Sequence, residues 1–256
     1  MIALMKNEKL FDEFQDYVQK NIIPFFSKEI REKFEIYFDE LNEWNNMFNL
    51  ISFKNATDLI YRHFCDSLHS AKIIKSVLTE YHYEKCFKTA DVGTGAGMPG
   101  IPVKIVLPNT KLTLIESITK KCRFLENVNV KLGFDVTILN ERAEEIGQNP
   151  EYRQQYDFVL SRAVSKFSPN LEFAIPLLKI NGYFIVHKTK QSAESLEEGI
   201  PSINNAIQNL GTKLEQIICY NLPDHKLDYC ILVFKKYKNT PANFPRRQGI
   251  PEKKPL

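Results

Sequence analysis

A glycine-rich segment that directly follows a predicted strand constrains this chain more than any other feature. Residues 91–100 read Asp-Val-Gly-Thr-Gly-Ala-Gly-Met-Pro-Gly, with glycines at the alternate positions 93, 95 and 97. The preceding residues, 86–92, form an apolar-edged run that predicts a β-strand. Glycine has no Cβ, so it permits unusual backbone angles and lets a ligand lie against the main chain. Such a turn at the carboxyl end of a strand predicts an α/β fold that binds a nucleotide-like cofactor.

Two cofactor classes fit the glycine-rich segment. The spacing Gly95-x-Gly97-x-x-Gly100 matches the fingerprint of dinucleotide-binding folds. The longer pattern, with Asp91 two residues before the first glycine, matches the S-adenosylmethionine (SAM) loop of class I methyltransferases. A carboxylate at this position suits a ligand with a cationic amino group, whereas it repels a pyrophosphate. The segment therefore favours SAM, and a glycine turn that binds no ligand is the remaining alternative.

An acidic residue ends the next predicted strand. Residues 112–115 are Leu-Thr-Leu-Ile, and Glu116 follows them, 25 residues after Asp91. A carboxylate about 20 residues beyond the glycines accepts hydrogen bonds from the ribose hydroxyls of adenosine cofactors. The alternative role is that of an acid that stabilises the N-terminus of the following helix. Glu116 thus supports an adenosine cofactor without choosing between SAM and a dinucleotide.

Amphipathic helices precede the glycine-rich segment and alternate with strands after it. Residues 28–48 and 57–76 carry apolar side chains at spacings of three and four, which predicts two helices that each bury one face. Further helices are predicted from near Met98-Pro99, over 117–132, after Ser168-Pro169 with Ser168 as the cap, and over 193–210. Strands are predicted at 86–92, 112–116, 135–139, 156–160, 182–187, 214–220 and 229–234.

The last two predicted strands indicate which α/β fold this is. About eight residues separate 214–220 from 229–234, too few for a helical crossover, so the two strands should pair antiparallel. Five parallel strands closed by an antiparallel hairpin form the Rossmann-like, seven-stranded sheet of class I SAM-dependent methyltransferases. A plain dinucleotide fold predicts parallel strands throughout. We therefore predict a methyltransferase domain over 81–238, a helical N-terminal extension over 1–80 and a C-terminal arm over 239–256.

Cysteine and histidine usage predicts neither a disulfide framework nor a metal site. The cysteines at 65, 86, 122, 219 and 230 contain no CxxC and lie mostly in apolar or amphipathic runs, which favours reduced core thiols. The five histidines form no HxxxH pair. No apolar run approaches the ~18–20 residues of a membrane span, and the N-terminus lacks the apolar core of a signal peptide. We expect a cytoplasmic protein without a metal or membrane partner.

Positive charge is concentrated at the C-terminus. Residues 235–256 hold seven Lys or Arg and one acid, whereas residues 1–234 hold 27 Lys or Arg against 30 acids. A basic end on a mildly acidic body predicts an anionic partner, with nucleic acid first. Four prolines between 241 and 255 exclude a regular helix, and Phe244 lies beside Pro245-Arg246-Arg247. We predict an extended basic arm laid along RNA, with a solvated tail as the alternative.

Motifs spread from about residue 37 to the C-terminus resemble one family. They are Glu43-Trp44-Asn45 with Phe48-Asn49-Leu50, His63-Phe64-x-Asp66-Ser67, the glycine-rich segment through Pro102, Lys120-Lys121 with Arg123-Phe124-Leu125, Arg142-Ala143-Glu144, Ser161-Arg162-Ala163, and Pro245-Arg246-Arg247-x-Gly249-x-Pro251-x-Lys253-Lys254-Pro255-Leu256. Through them the chain resembles the RsmG (GidB) family of bacterial small-subunit (16S) rRNA guanine-N7 methyltransferases. Many methyltransferases share the glycine-rich segment, while the Trp-Asn and C-terminal motifs are far more specific to this family.

The resemblance, taken with the patterns above, implies SAM as the cofactor and 16S rRNA of the small ribosomal subunit as the partner. The expected cofactor-binding residues are Asp91, Gly93, Gly95, Gly97, Met98, Glu116, Ala143, Glu144 and Arg162. The expected RNA-binding residues are Arg123, Lys188, Arg246, Arg247, Lys253 and Lys254. Arg162 is also expected to position the methyl acceptor, with a surface salt bridge as its alternative role.

Guanine N7 needs no dedicated catalytic base. Its lone pair is free to attack the sulfonium methyl, so alignment of the two reactants can supply most of the catalysis. The segment after the fourth strand, Leu160-Ser161-Arg162-Ala163, lacks the Asn/Asp-Pro-Pro-aromatic motif of amino-group methylases. The hypothesis is a monomeric rRNA guanine-N7 methyltransferase. Its alternatives are a small-molecule SAM methyltransferase, a non-catalytic ribosome-assembly factor and, more distantly, a NAD oxidoreductase.

Overall fold

The centre of the fold is a seven-stranded sheet in the order β3-β2-β1-β4-β5-β7-β6. The structure is a computed structural model that describes residues 2–80, 86–162, 167–191, 194, 201–223 and 229–256. The strands are β1 (Phe87–Val92), β2 (Thr110–Ile115), β3 (Thr137–Leu139), β4 (Tyr156–Arg162), β5 (Leu178–Thr189), β6 (Thr212–Tyr220) and β7 (Tyr229–Lys236). All seven predicted strands are therefore present, some with ends that differ by a few residues.

The pairing of the strands confirms the predicted class I methyltransferase sheet. Neighbouring strands from β3 to β5 pair in parallel, whereas β7 pairs antiparallel with both β5 and β6. Strands β2 and β3 lie on one side of β1, and strands β4 to β7 lie on its other side, so the strand order reverses direction at β1. This reversal opens a crevice where α/β folds bind their ligands. The glycine-rich segment leaves β1 at this point.

The described helices surround the sheet and agree broadly with the predicted ones. They are α1 (Ile2–Asn21), α2 (Lys28–Met47), α3 (Ala56–Asp58), a π-helical segment (Leu59–Cys65), α4 (Asp66–Glu80), α5 (Gly100–Val106), α6 (Thr119–Lys131), α7 (Ala143–Gln148), α8 (Phe167–Ala174), a 3-10 turn (Ile175–Leu177), α9 (Pro201–Leu210) and α10 (Ile250–Lys253). Of the predicted helix 193–210, residues 193 and 195–200 lie outside the described residues. Across the ranges that are described, no helix is long and apolar enough to cross a membrane.

One predicted helix cap is wrong. Helix α8 begins at Phe167, so Ser168 lies inside its first turn rather than before it. The Ser168 hydroxyl instead accepts a hydrogen bond from the backbone N–H of Leu256 at 3.1 Å. The competing donor comes from the far end of the chain, which local cap patterns cannot anticipate.

The N-terminal helices and the sheet share one hydrophobic cluster. Phe14, Phe34 and Phe64 are completely buried, and the ring centroids of Phe14 and Phe34 lie 5.1 Å apart. The same cluster contains Phe87 of β1 and Leu112 of β2. The helical region therefore buries its aromatic side chains against the core of the sheet. The division at residue 80 stays a prediction, and this cluster runs across it.

The C-terminal segment folds back onto the sheet domain, so the predicted extended arm is wrong. Phe244 is 8% exposed and belongs to a hydrophobic cluster that also contains Phe234 of β7. The Arg153 guanidinium donates hydrogen bonds to the carbonyls of Thr240 at 2.9 Å and Phe244 at 2.6 Å. Prolines deprive this segment of backbone donors, but its carbonyls remain available, and Arg153 binds them.

The prediction of reduced core thiols is wrong for two of the five cysteines. Cys219 and Cys230 face each other in the antiparallel ladder of β6 and β7 and form a disulfide. Cys65 and Cys122 are free and buried, as predicted, whereas Cys86 is free and exposed. The hairpin register contains a shift between Leu214 and Gln216. Because this irregularity decides which residues lie opposite, spacing along the sequence does not reveal the pair.

Tyr37 of α2 connects the helical region to the glycine-rich segment. It is fully buried, its ring stacks on Phe64, and its hydroxyl donates to the carbonyl of Ala96. A Cβ at Gly97 would lie 2.9 Å from the Tyr37 hydroxyl oxygen, so the two elements are in close contact. Helix α2 thereby packs against the glycine-rich segment and helps to hold its conformation.

We expect Tyr37→Phe to lower the free energy of unfolding by about 1–2 kcal/mol, because the buried carbonyl of Ala96 loses its donor. Urea denaturation measures this change. The control is Tyr237→Phe, since Tyr237 is 46% exposed and its substitution should stay within about 0.5 kcal/mol of the wild type. Equal stability of Tyr37→Phe and the wild type would contradict the proposed support.

Candidate functional site

The glycine-rich segment adopts a conformation that demands glycine. Gly93, Gly95 and Gly97 have φ angles of 66°, 61° and 95°, in the left-handed region that side chains rarely adopt. The N–H groups of Gly93 and Thr94 donate to the carbonyl of Ile115 at 2.9 and 3.2 Å. The segment is thereby fastened to the end of β2, and its position relative to the crevice is fixed.

Asp91 lies buried beneath this segment. Its Oδ2 accepts hydrogen bonds from the Thr94 hydroxyl at 2.6 Å and from the Gly100 N–H at 2.8 Å. Its Oδ1 is buried and has no hydrogen-bond partner within the described part of the chain. Burial raises the pKa of Asp91 and outweighs the opposing effect of the two hydrogen bonds, so that the net pKa is about 7. A cationic group at Oδ1 would stabilise the ionised carboxylate.

Glu116 joins β2, the glycine-rich segment and helix α6. Its Oε2 accepts from the N–H of Gly95 at 2.9 Å, and its Oε1 accepts from the N–H of Ile118 at 2.9 Å, directly before α6. Glu116 thus also plays the alternative role, that of an acid at the N-terminus of the following helix. Each carboxylate oxygen has a second lone pair, so Glu116 can still accept from a ligand hydroxyl. It also lines the cavity at this edge of the sheet.

A cavity of about 100 Å³ brings together four of the predicted cofactor residues. Its lining residues are Val92, Gly93, Ile115, Glu116, Ser117, Glu141, Arg142, Ala143, Glu144, Phe173 and Glu252. Four of these are acidic and one is basic, so the cavity favours a cationic ligand and repels a pyrophosphate. The contribution of Glu252, from the C-terminal segment, is one that sequence reasoning missed.

Arg162, at the end of β4, is held by an extensive set of contacts. Its Nε forms an ion pair with Asp66 Oδ2 at 2.9 Å. Its Nη2 donates to the carbonyl of Arg62 at 2.7 Å and lies 3.0 Å from Nδ1 of His63. Its Nη1 is buried without a hydrogen-bond partner in the described residues. The salt bridge is therefore buried rather than at the surface, and Nη1 is a buried donor without a partner among the described residues.

Asp66 is the centre of the polar network around Arg162. Besides Arg162, it contacts His187 Nδ1 at 3.3 Å and accepts a hydrogen bond from the Tyr220 hydroxyl. Burial by itself raises the pKa of Asp66, but His187 and Arg162 hold it well below its usual range. The Ser70 hydroxyl lies 2.6 Å from Nε2 of His187 and completes the network.

His63 is a neutral hydrogen-bonding partner of Arg162. Its Nε2 lies 3.1 Å from the carbonyl of Ser52, so Nε2 carries the proton and Nδ1 accepts from Arg162. Burial and, to a smaller extent, the charge of Arg162 lower the pKa of His63 to about 3. This histidine lies in the π-helical segment, a distortion that is common near functional sites. We infer its tautomer from these contacts.

Sequence reasoning assigned no role to several members of this network. His63 and Asp66 appeared in a family motif, yet Ser70, His187 and Tyr220 carried no such signal. The polar residues of α4 interrupt an otherwise apolar stripe, which is the local sign that they are partnered inside the core. Lys121 was likewise unassigned, although its ammonium would lie 3.9 Å from a Cβ at Gly95.

Two other predicted residues lie in different surroundings from the cavity. Met98 is 4% exposed and belongs to the main hydrophobic cluster, with its sulfur 3.5 Å from the Ser67 hydroxyl. Lys188 lies on β5 with its ammonium 5.6 Å from the centre of the Phe167 ring, and burial lowers its pKa. Their expected contacts with cofactor and RNA stay predictions.

The predicted RNA-binding cations divide into two groups. Arg123, Arg247, Lys253 and Lys254 are exposed. Arg246 instead binds Glu172, a fully buried residue of α8. Its Nη2 lies 2.7 Å from Oε2, and its backbone N–H donates to Oε1 at 2.7 Å. The guanidinium of Arg246 thus has a structural partner within the chain.

The site combines a cation-favouring cavity with an arginine that is held by several contacts. No cluster of three or more His, Cys, Asp or Glu that could hold a metal ion occurs among the residues whose placement is described. The described ionisable groups around Arg162 are bound to one another. The arrangement is suited to holding and orienting reactants rather than to accepting a proton.

Comparison with known sequences gives a consistent set of matches. The model of the GidB family, described as rRNA small subunit methyltransferase G, matches residues 30–222. Ribosomal RNA small subunit methyltransferase G of Acetivibrio thermocellus is 38% identical over 226 residues, covering 88% of each chain. The protein of the same name from Carboxydothermus hydrogenoformans is 39% identical over 252 residues, covering 98% of this chain and 99% of the relative.

Comparison with solved structures shows the fold. A putative sarcosine dimethylglycine methyltransferase from Galdieria sulphuraria aligns with a TM-score of 0.51 at 14% identity. The alignment covers 78% of this chain and 98% of that structure. The similarity extends over nearly the whole of the other protein, in agreement with the predicted methyltransferase fold.

We expect Asp91→Asn to stabilise the free protein at pH 8 by at least about 1 kcal/mol, because one pKa unit corresponds to about 1.4 kcal/mol. The folded-state pKa of Asp91 is raised to about 7, so folding takes up a proton between about pH 4 and pH 7. The wild type therefore loses stability as the pH rises through this window, and the variant does not. Urea denaturation at pH 5 and pH 8 measures the difference. Asp135→Asn, at an exposed position, is the control.

We expect Arg246→Ala to lower the free energy of unfolding by about 3–5 kcal/mol, because Glu172 would be left as an uncompensated buried charge. Arg247→Ala changes the neighbouring exposed arginine and should stay within about 0.5 kcal/mol of the wild type. Adding Glu172→Gln to Arg246→Ala should recover part of the loss. Chemical denaturation compares the four proteins, and equal stability of the two arginine variants would refute the assignment.

Proposed function

The chain belongs to the GidB family, rRNA small subunit methyltransferase G, and we propose that it transfers the methyl group of SAM to N7 of one guanine in 16S rRNA. The observation that carries the proposal is the acidic cavity beside the glycine-rich segment, where Gly93, Glu116, Ala143 and Glu144 converge. SAM is a cation overall at neutral pH, and this lining suits it.

The residues present fit SAM. The unpartnered Oδ1 of Asp91 would face its ammonium group, and Glu116 would accept from its ribose hydroxyls. Ala143 and Glu144 would hold its adenine end. When bound, SAM supplies an electrophilic methyl group on a sulfonium. Gly95 lets the main chain approach the ligand, and Gly97, whose missing Cβ makes room for Ile101 and Tyr37, is proposed to contribute through its backbone. The proposed contact of Met98 is apolar packing from the core side.

Arg162 is the proposed positioning residue for the acceptor. Asp66, the Arg62 carbonyl and His63 bind its other nitrogens, and Nη1 is the arm without a partner among the described residues. A guanidinium held this firmly can orient a planar base through one remaining donor with little further loss of entropy. Guanine N7 attacks through its own lone pair, so the neutral, hydrogen-bonded His63 is not needed as a base.

The exposed cations support rRNA as the substrate. Arg123 lies on α6, and Arg247, Lys253 and Lys254 lie on the C-terminal segment, whose Glu252 lines the cavity. We propose that these four residues bind RNA phosphates and that Lys188 contributes from β5. The proposed setting is a monomer acting on the small ribosomal subunit in the cytoplasm.

The proposal is tested by methyl transfer from labelled SAM to 16S rRNA and to small subunits that lack this modification. Mapping of the labelled nucleotide should place the label on N7 of a single guanine. Label on a base amino group would refute the acceptor, and binding of SAM without transfer to either substrate would favour another acceptor. Failure to bind SAM would favour a non-catalytic assembly factor.

We expect Gly93→Arg to abolish SAM binding while the protein remains folded, because the arginine side chain would fill the cavity that Gly93 lines. Calorimetric titration with SAM measures the loss. Gly133→Arg is the matched control, since Gly133 also has a positive φ of 62° and a Cβ there meets nothing within 4 Å. Retained SAM affinity in Gly93→Arg would refute the cavity as the cofactor site.

We expect the triple substitution Arg247→Ala, Lys253→Ala and Lys254→Ala to weaken RNA binding and flatten its salt dependence. Each phosphate contact contributes about 0.7–0.9 to the slope of log K against log salt, so the slope should fall by up to about 2–3. RNA binding titrations over a range of salt concentrations measure it. The control changes Lys88 and Lys111 to alanine, because these exposed lysines lie near the amino ends of β1 and β2. An unchanged slope in the triple variant would exclude these contacts.

A further inference from the structure

The C-terminal segment consists of two parts that are held very differently. The first part, residues 240–246, is fastened tightly to the sheet domain. Arg153 binds the carbonyls of Thr240, Pro241 and Phe244, and Arg246 binds the buried Glu172. A Cβ at Gly147 would lie 2.6 Å from a ring carbon of Pro245, so this part is also tightly packed.

The second part, residues 247–256, is held by fewer contacts, and we call it the flap. The Gly249 N–H donates to Oε1 of Glu144 at 3.2 Å, and the Leu256 N–H donates to the Ser168 hydroxyl at 3.1 Å. The flap forms the short helix α10, of which Pro251 is buried and Lys253 is exposed. Compared with the first part, which two guanidinium groups hold, the flap is held by these two hydrogen bonds and by the packing of Pro251 and Leu256.

The flap forms part of the wall of the proposed cofactor cavity. Glu252 lines this cavity together with Gly93, Glu116 and Ala143. The hydrogen bond from Gly249 ends on Glu144, another lining residue. The flap therefore lies against the same groups that would hold the adenosine part of the cofactor.

We propose that the flap is a gate over the cofactor cavity, hinged after Arg246, which lifts for SAM to enter or leave. The ion pair of Arg246 with Glu172 holds the hinge in place, and the hydrogen bonds of Gly249 and Leu256 hold the gate closed. This proposal rests on the proposed function, because it takes SAM as the occupant of the cavity. It adds a route of exchange and a role for the C-terminal residues beyond RNA binding.

The outer side of the flap links this gate to RNA. Arg247, Lys253 and Lys254 are exposed, and Glu252, which is also exposed, lines the cavity. An RNA phosphate that binds these cations while the flap is closed favours the closed position of the flap. Bound rRNA therefore slows the release of SAM, and by thermodynamic linkage SAM strengthens rRNA binding wherever equilibrium affinity is affected.

The gate is tested by measuring the rate at which labelled SAM leaves the full-length protein after a chase with unlabelled SAM. Gly249→Ala places a side chain at a φ of 75°, where a Cβ meets nothing within 4 Å, so the substitution strains the closed flap without filling the cavity. This strain should accelerate release roughly tenfold. Gly133→Ala imposes the same strain at the end of α6, away from the flap, and should release SAM at the wild-type rate.

A second variant acts on the other contact of the flap. Ser168→Ala removes the acceptor of the Leu256 N–H and should accelerate release by roughly two- to tenfold, as expected for one hydrogen bond. Wild-type release rates in both Gly249→Ala and Ser168→Ala would overturn the gate. That result would not contradict the proposed methyl transfer to rRNA. A wild-type protein that does not bind SAM would instead overturn the proposed function itself.

The link to RNA has its own measurement. Addition of 16S rRNA should slow SAM release from the wild-type protein, and the slowing should be smaller in the triple variant of Arg247, Lys253 and Lys254. The lysine-to-alanine control at Lys88 and Lys111 should retain the full effect. A release rate that rRNA leaves unchanged in the wild type would overturn the link.

Discussion

The buried carboxylate of Asp66 joins the parts of this molecule that the site requires. It belongs to α4, yet it binds Arg162 at the end of β4, His187 on β5 and Tyr220 at the end of β6. A buried ion pair of this kind is stable only when its remaining donors and acceptors are satisfied. Three strands and one helix must therefore be in place before the charge of Asp66 is compensated, and the same contacts fix Arg162.

Buried carboxylates in this protein differ in whether the chain itself neutralises them. Asp66 has Arg162, and Glu172 has Arg246. Asp91 has only hydrogen bonds from Thr94 and Gly100, and its Oδ1 lacks a partner in the described part of the chain. Its raised pKa records this difference. Val92 and Gly93, which follow Asp91 in the chain, line the cavity, where a cationic cofactor would supply the missing charge.

The C-terminal segment shows how one stretch of basic sequence serves two physical purposes. Arg246 and Arg247 are neighbours with the same side chain, but one compensates a buried charge and the other is exposed. Net charge predicts an anionic partner for the segment as a whole. It cannot say which cation is left for that partner, because the answer depends on a glutamate 74 residues earlier in the chain.

The sequence by itself determined the fold class, the glycine turn after β1 and the acid after β2. These features are local: left-handed backbone angles require Gly93, Gly95 and Gly97, and a short connection forces the last hairpin to be antiparallel. Most of the candidate cofactor residues could be named for this reason, through motifs a few residues long.

Only the tertiary structure decided the partners of the buried charges, the pairing of Cys219 with Cys230 and the position of the C-terminal segment. Asp66 and Tyr220 are 154 residues apart, and Glu144 and Gly249 are 105 residues apart. Contacts at such separations depend on strand order, register and packing, which no short pattern encodes. Burial then makes each unpartnered charge costly, so the folded chain selects these long-range pairs where local spacing leaves them open.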